Sequence, residues 1–195
     1  MKKIFSSLLF VVVLTTSYGQ VQPDTSAHLT FKGIPIDGTL NEFVLKMKKS
    51  GFTYQGTKNG IATFYGDFAS YTNCMIGTST PISKDLVSKV VVLFPDCDTW
   101  SLLSGNYYYL KDMLTSKYGK PWDCVEKFDR EPRDDKDRMY EVKLDRCKYL
   151  TSYETGKGTI QLTIAHNDVN SCFVTLAYFD KINGEIVKQQ AQDEL

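Results

Sequence analysis

The residues best suited to acid–base chemistry are two histidines, and the second lies close to a carboxylate. His166 is followed by Asp168, whereas His28 stands just before the first predicted strand. An imidazole oriented by a carboxylate can serve as the general base of a hydrolase. The chain has neither a Gly-x-Ser-x-Gly elbow nor a His-Glu-x-x-His motif, although a catalytic triad can also be assembled from residues distant in sequence. We therefore assign no catalytic residue, and a hydrolase of unrecognised type stays an alternative hypothesis.

The densest run of charge covers residues 129–138. A calcium loop needs acidic oxygens at alternating positions and a glycine at its bend. Asp135 and Asp137 alternate here, but the glycine is missing and four basic residues interleave. We expect an exposed, self-neutralising loop between two strands, predicted at residues 122–128 and 140–153. The sequence accordingly predicts neither a metal site nor a cofactor.

Five cysteines are present, and none belongs to a Cys-x-x-Cys pair of the kind that binds zinc or catalyses thiol exchange. In the predicted hairpin, Cys124 and Cys147 are almost equidistant from the turn, which would place them nearly opposite each other. That arrangement suits the ~5.5–6 Å Cα separation of a disulfide. The alternative is that both are free buried thiols. Because the count is odd, at least one thiol stays unpaired, and we expect it to be Cys172.

Two groups of side chains are candidates for ligand binding. Tyr108, Tyr109 and Trp122 carry rings that could stack on a ligand, although packing within the protein is the usual role of such residues. Residues 159–165 alternate between apolar and polar side chains, which is typical of a strand with one solvated face. The polar members of that strand are Thr159, Gln161 and Thr163.

The first 19 residues have the plan of a secretory signal peptide. Two lysines precede an apolar run, and small or polar residues lead to a cleavage position near Gly19. The apolar run is shorter than the ~20 residues of a membrane-spanning helix, so we expect export to the periplasm or beyond, without a transmembrane segment in the mature chain. A polar leader is expected at residues 20–27.

The charge balance limits the class of partner. The chain holds 23 basic and 23 acidic residues, so its formal net charge is zero. Such a chain has no general positive field for binding nucleic acid. A protein, or another ligand of the envelope or the extracellular space, is the expected partner.

Hydrophobic patterning predicts one α+β domain over residues 28–187, followed by a frayed tail at 188–195. Residues 90–94 are continuously apolar and indicate a central strand. The chain shows one plan twice, a strand, a helix and an antiparallel meander, at about 28–78 and 88–178. We predict one curved, mostly antiparallel sheet of about eight strands with two helices on one face.

The segment of residues 31–40, Phe-Lys-Gly-Ile-Pro-Ile-Asp-Gly-Thr-Leu, with Lys-Ser-Gly-Phe at 49–52, carries a resemblance. It resembles small uncharacterised secreted proteins of Bacteroidetes-type bacteria. The doubled layout is also similar to that of β-lactamase-inhibitory proteins, whose concave sheet grips a partner. The resemblance carries no characterised activity and transfers no functional residue. Our favoured hypothesis is an exported, non-catalytic binding domain that uses its open sheet face or its meander loops.

Overall fold

A computed structural model describes residues 26–80, 85–167 and 171–193. The predicted signal peptide, most of the leader and Asp168 lie outside these residues. The described residues form four helices, α1 (Leu40–Lys49), α2 (Trp100–Tyr118), α3 (Asp135–Lys143) and α4 (Lys181–Asp193). The strands are β1 (Thr30–Phe31), β2 (Ile34–Pro35), β3 (Thr53–Lys58), β4 (Ile61–Phe68), β5 (Tyr71–Ser79), β6 (Lys89–Leu93), β7 (Asp123–Phe128), β8 (Cys147–Thr155), β9 (Gly158–His166) and β10 (Cys172–Asp180).

Eight of the strands form one open antiparallel sheet in the order β3-β4-β5-β6-β10-β9-β8-β7. The apolar strand β6 lies inside the sheet, between β5 and β10, as its composition predicts. The leading strand of the first half departs from the doubled plan, because β1 pairs with β2 in a small separate sheet. The α+β class and the eight-stranded antiparallel sheet are confirmed, and the described residues form four helices rather than the two predicted.

One side of the sheet, the helix face, carries the hydrophobic core. Residues directly opposite each other in antiparallel strands share a face. The register therefore aligns one row across seven strands: Tyr54, Phe64, Ile76, Val92, Leu176, Leu162 and Thr151. Side chains from α1, α2 and α3 join the same continuous cluster as this row. These helices therefore pack on one side of the sheet.

Helices α1 and α2 are both capped by residues at their ends. At the start of α1, Thr39 Oγ1 accepts the Glu42 N–H at 3.3 Å, and the Glu42 carboxylate accepts the Thr39 N–H at 3.0 Å. These contacts form a capping box, which satisfies two backbone donors that the helix leaves free. Helix α2 runs from Trp100 to Tyr118, and the residue that caps its C-terminus is Gly119, whose φ of 84° is easily reached without a side chain.

The prediction for residues 129–153 was wrong in its first half. Residues 135–143 form α3 instead of a loop and strand, and Asp134 caps it by accepting the Asp137 N–H at 2.9 Å. Within α3, Asp137 and Glu141 are buried, and Arg130 reaches both carboxylates, at 2.7 and 2.6 Å. Hydrophobic periodicity does not reveal α3, because Asp137 and Glu141 point inward and are neutralised there by Arg130.

The predicted Cys124–Cys147 disulfide is also wrong, and α3 is the reason. The helix takes up chain that a simple hairpin would place in its strands, which moves the register of β7 against β8. Cys124 pairs with Thr151, and Cys147 pairs with Phe128. The two cysteines are thus four positions apart along the strands, ~13 Å at 3.3 Å per residue. Both are free thiols.

Helix α4 is tied to the rest of the domain by a buried polar cluster. Asp180, at the end of β10, accepts the N–H groups of Leu29 and Asn183, both at 2.8 Å. The Asn183 amide donates to the carbonyl oxygens of Ile36 at 3.1 Å and Val87 at 2.9 Å. The cluster joins the N-terminal segment to the end of the sheet, and α4 includes most of the segment expected as a frayed tail.

Candidate functional site

The second side of the sheet, the open face, is the main candidate site. Its central row runs across seven strands and consists of Tyr65, Met75, Leu93, Thr175, Thr163, Leu150 and Val125. Most of these side chains are half-buried, whereas the matching row on the helix face is almost fully buried. The eight strands span ~34 Å at ~4.8 Å per strand. The open face is thus broad, uncharged at its centre, and a mixture of apolar and hydroxyl side chains.

The predicted strand residues Thr159, Gln161 and Thr163 lie on this open face. They belong to three successive rows, and each is half-buried. The Gln161 amide donates to Ser152 Oγ at 3.4 Å, which holds it against the neighbouring strand. The structure therefore brings these three residues together on one surface.

The three predicted aromatic residues lie elsewhere. Tyr108 and Tyr109 are exposed residues of α2, which covers the helix face, so they are on the opposite side of the sheet from Thr163. Trp122 is 71% exposed just before edge strand β7. Its N–H donates to Ser152 O at 2.9 Å, which fixes its backbone to the sheet edge. The six predicted residues consequently do not form one surface.

A groove of about 470 Å³ opens at one end of the open face. We call it the Pro95 groove. Its floor contains Met75, Leu93 and Phe173, and its rim includes Pro95 and Asp96. Sequence reasoning missed this groove, because β6 is apolar on both faces and its composition does not show which residues face outward. Tyr65 also lines the groove. Burial alternates along β4, but the residue types at 61–68 do not alternate in polarity, so the sequence carries no signal for Tyr65.

A second groove, about 330 Å³, lies at the other end, where α4 leaves the sheet. It combines Thr159 and Phe179 of the open face with Glu185 and Lys188 of α4. The ammonium group of Lys89 lies 4.8 Å from the centre of the Phe179 ring, so this end of the face carries a positive charge over an aromatic surface. Charged side chains therefore lie at this end of the open face, whereas its central row contains none.

The helix side has a polar cluster at edge strand β7. Lys111 Nζ lies 3.3 Å from Cys124 Sγ and also bonds Glu126, while Tyr108 reaches Glu126 at 3.5 Å. Burial alone would lower the pKa of Lys111, but the hydrogen bonds to Glu126 and Cys124 raise it overall. Burial and the Glu126 charge raise the pKa of Tyr108. The cluster therefore keeps the ammonium group charged beside an exposed thiol.

The two histidines are held by carboxylates. His28 Nδ1 lies 3.0 Å from the buried Asp180, and its Nε2 lies 3.5 Å from Asp37. His166 Nε2 lies 3.0 Å from Asp145, on the chain that follows α3. Burial would raise the pKa of Asp37, but hydrogen bonds from Asn183 and Gly38 and the nearby His28 lower it overall. His28 thus belongs to the cluster that anchors α4.

Residues 26–80, 85–167 and 171–193 contain neither a metal-binding cluster nor a helix that could cross a membrane. No group of three or more His, Cys, Asp or Glu side chains there is arranged to hold a metal ion. None of the described helices combines the length and hydropathy that crossing a bilayer requires.

Comparison with protein-family models, with curated proteins and with solved structures finds no match to the chain.

Proposed function

We propose that the protein is exported and acts as a non-catalytic binding module whose open face receives a partner protein or another envelope or extracellular ligand. The observation that carries the proposal is the contrast between the two faces of the sheet. Phe64, Ile76 and Leu162 on one face are fully buried under helices. On the other, Met75 and Thr163 remain half-buried, with no described helix packed over the centre.

The composition of the open face supports recognition of another protein. Interface centres are depleted in charged residues and enriched in aromatic residues and methionine. The central row contains Tyr65 and Met75 and no charged side chain, and threonines supply hydroxyl groups for hydrogen bonds. Apolar patches of this kind on a soluble domain commonly mark interaction sites. The meander loops, which end the strands beside the Pro95 groove, would form the margin of the same surface.

The test is a capture experiment with matched variants of the mature protein. Thr163→Arg places a charge at the centre of the open face, and Leu102→Arg places the same charge at a 59% exposed site on α2. Proteins captured from an envelope extract should be lost with Thr163→Arg and kept with Leu102→Arg. Equal capture by both variants, with both correctly folded, would overturn the use of this face.

A third variant separates the open face from the predicted aromatic residues. Tyr109→Ala removes an exposed ring from α2, on the opposite side of the sheet from Thr163, where it packs edge-on against the Tyr71 ring. Under the proposal it should capture the partner as well as the unaltered protein does. Loss of the partner with Tyr109→Ala alone would move the binding surface to the helix side. Export is tested separately by fractionating cells that produce the full chain.

A further inference from the structure

Cys97 and Cys172 are placed opposite each other by a local irregularity after β6. Leu93 pairs with Thr175 in the regular ladder, and the Phe94 N–H donates to Val174 O at 3.0 Å. The chain then gains one residue, because Cys97 rather than Asp96 forms the next bridge, with Cys172. The Cys97 N–H donates to Cys172 O at 2.8 Å. This one-residue shift is a β-bulge, which re-aims the side chains that follow it.

The backbone separation at this bridge suits a disulfide. Opposite residues joined by backbone hydrogen bonds in an antiparallel pair have Cα atoms ~5.5 Å apart, within the ~4.4–6.8 Å that disulfides span. Both side chains are buried, Cys97 at 5% and Cys172 at 0% exposure. Both thiols are free in the structure. Cys97 Sγ accepts a hydrogen bond from the Asn106 amide at 3.3 Å, and the bridge would replace this contact.

We propose that Cys97 and Cys172 form a disulfide in the exported protein. The inference rests on the proposed export, because disulfides persist in oxidising compartments. Two S–H bonds break and one S–S bond forms. The two electrons and two protons pass to an external disulfide, such as oxidised glutathione or an oxidised thiol–disulfide oxidoreductase, which becomes two thiols.

The bridge forms before the core closes. Thiolates, not thiols, carry out disulfide exchange, and burial raises the pKa of both Cys97 and Cys172 in the folded protein. The folded, reduced protein therefore exchanges slowly, whereas the unfolded chain exchanges freely. Once the domain has folded, the same burial protects the bridge from reductants.

The bridge would also shape the candidate binding face. Pro95 and Asp96 form the rim of the Pro95 groove and directly precede Cys97. Thr99, two residues after it, caps α2 by accepting the Leu102 N–H at 3.3 Å. A covalent link to β10 at this point holds the groove rim and the start of α2 in one position. Preorganisation of this kind lowers the entropic cost of binding.

A third thiol, that of Cys147, is the alternative bonding partner for Cys172. Cys147 is close enough to Cys172 for the two to interact electrostatically, and burial raises the pKa of Cys147 to about 12. Cys147 and Cys172 lie on strands that are separated by β9, however, and they are not bridge partners. We therefore expect Cys172 to pair with Cys97 and not with Cys147. This replaces the expectation from the sequence that Cys172 is the unpaired thiol, because the bridge places Cys97 directly opposite it.

The test is peptide mapping of the full chain refolded from the reduced, unfolded state with reduced and oxidised glutathione. Free thiols are alkylated and the protein is digested with trypsin. Cys97 lies in the tryptic peptide 90–111 and Cys172 in the peptide 158–181, and each peptide holds one cysteine. The expected result is a linked pair of these two peptides, which reductant separates. Linkage of Cys172 to Cys147, or five alkylated thiols in folded protein, would overturn the proposal.

Two further measurements keep the outcome clear if a variant folds poorly. The bridge closes a loop of about 75 residues, so the oxidised protein should melt ~5–10 °C above the reduced one. Cys97→Ser should abolish that difference, whereas Cys74→Ser should retain it. The map tests the bridge independently of location. Cell fractionation that finds the chain in the cytoplasm, together with a correct map, would contradict export and leave the bridge geometry standing.

Discussion

Asn183 is the residue whose replacement should show most clearly how α4 is held. The Asn183 side chain is buried, and its amide donates to Ile36 O at 3.1 Å, Val87 O at 2.9 Å and Asp37 Oδ1 at 3.0 Å. Asn183→Ala removes the donor and leaves the two backbone carbonyl oxygens without it. The Asp37 carboxylate loses the same donor at a lower cost, because it is partly exposed and can bind water instead.

The magnitude follows from the two carbonyl groups. A buried acceptor left without a donor costs about 1–3 kcal/mol, and partial relaxation makes a total of ~2–4 kcal/mol reasonable. Against a total stability of ~5–15 kcal/mol, this is a large fraction. For a domain of this size it lowers Tm by ~5–12 °C. The substitution should also speed amide hydrogen exchange in α4, because the helix loses its main buried contact.

The assay is thermal and urea unfolding followed by circular dichroism, with hydrogen exchange of α4 measured in parallel. Gln189→Ala is the matched control, since Gln189 is an exposed amide on the same helix. It should change the free energy of unfolding by less than ~0.5 kcal/mol, as surface substitutions usually do. The free energy of unfolding of Asn183→Ala should differ clearly from that of the unaltered protein. If the difference is less than ~0.5 kcal/mol, as for a surface substitution, the buried cluster does not anchor α4.

Three other predictions concern charge, packing and thiol access. Hydrogen bonds from the Arg133 backbone N–H and the Arg130 guanidinium group lower the pKa of Asp137 from its usual 3.8 to about 2. The ionised Asp137 therefore stabilises the folded protein, and this contribution is lost as the pH falls from about 4 to about 2. Asp137→Asn should therefore flatten acid unfolding in that window, and an unchanged acid profile would contradict the contact. Gly66→Ala should lower stability by about 1–3 kcal/mol, because the new methyl group meets a buried phenylalanine ring, whereas Gly77→Ala on the next strand meets only ordinary contacts; equal unfolding midpoints for the two variants would refute this. In the reduced, folded protein, iodoacetamide should label Cys124 first, because it is exposed while the other cysteines are buried or half-buried, and mass spectrometry that finds another cysteine labelled first would show that the thiol environments are misassigned.

The sequence predicted the parts of the fold in which polarity follows exposure. In β9, polar and apolar residues alternate, so the solvated positions Thr159 and Gln161 could be identified directly. In β6 this signal is lost, because outward Val91 and Leu93 are as apolar as their buried neighbours. The open face was therefore predicted from β9 alone, and the apolar half of its central row was not.

Helices α3 and α4 were not predicted, because each is held by polar side chains that are buried and hydrogen-bonded within the protein. Helix α3 turns Asp137 and Glu141 inward toward Arg130, so it lacks an apolar stripe. Helix α4 is anchored by Asn183, which hydrophobic periodicity does not detect. The wrong disulfide followed directly from the missing helix, since a hairpin without α3 has a different register. Side-chain hydrogen bonds decide these features, over 7 and 11 residues at α3 and over 147 and 96 residues at α4.

The most direct test of the binding-face account is the affinity of the captured partner for two charge variants, measured by calorimetry. Thr163→Arg should weaken binding at least tenfold, about 1.4 kcal/mol, because a charge at the centre of an interface must be desolvated. Leu102→Arg, with the same charge on the helix side, should bind as the unaltered protein does. Unchanged affinity for Thr163→Arg would show that the partner does not use the open face.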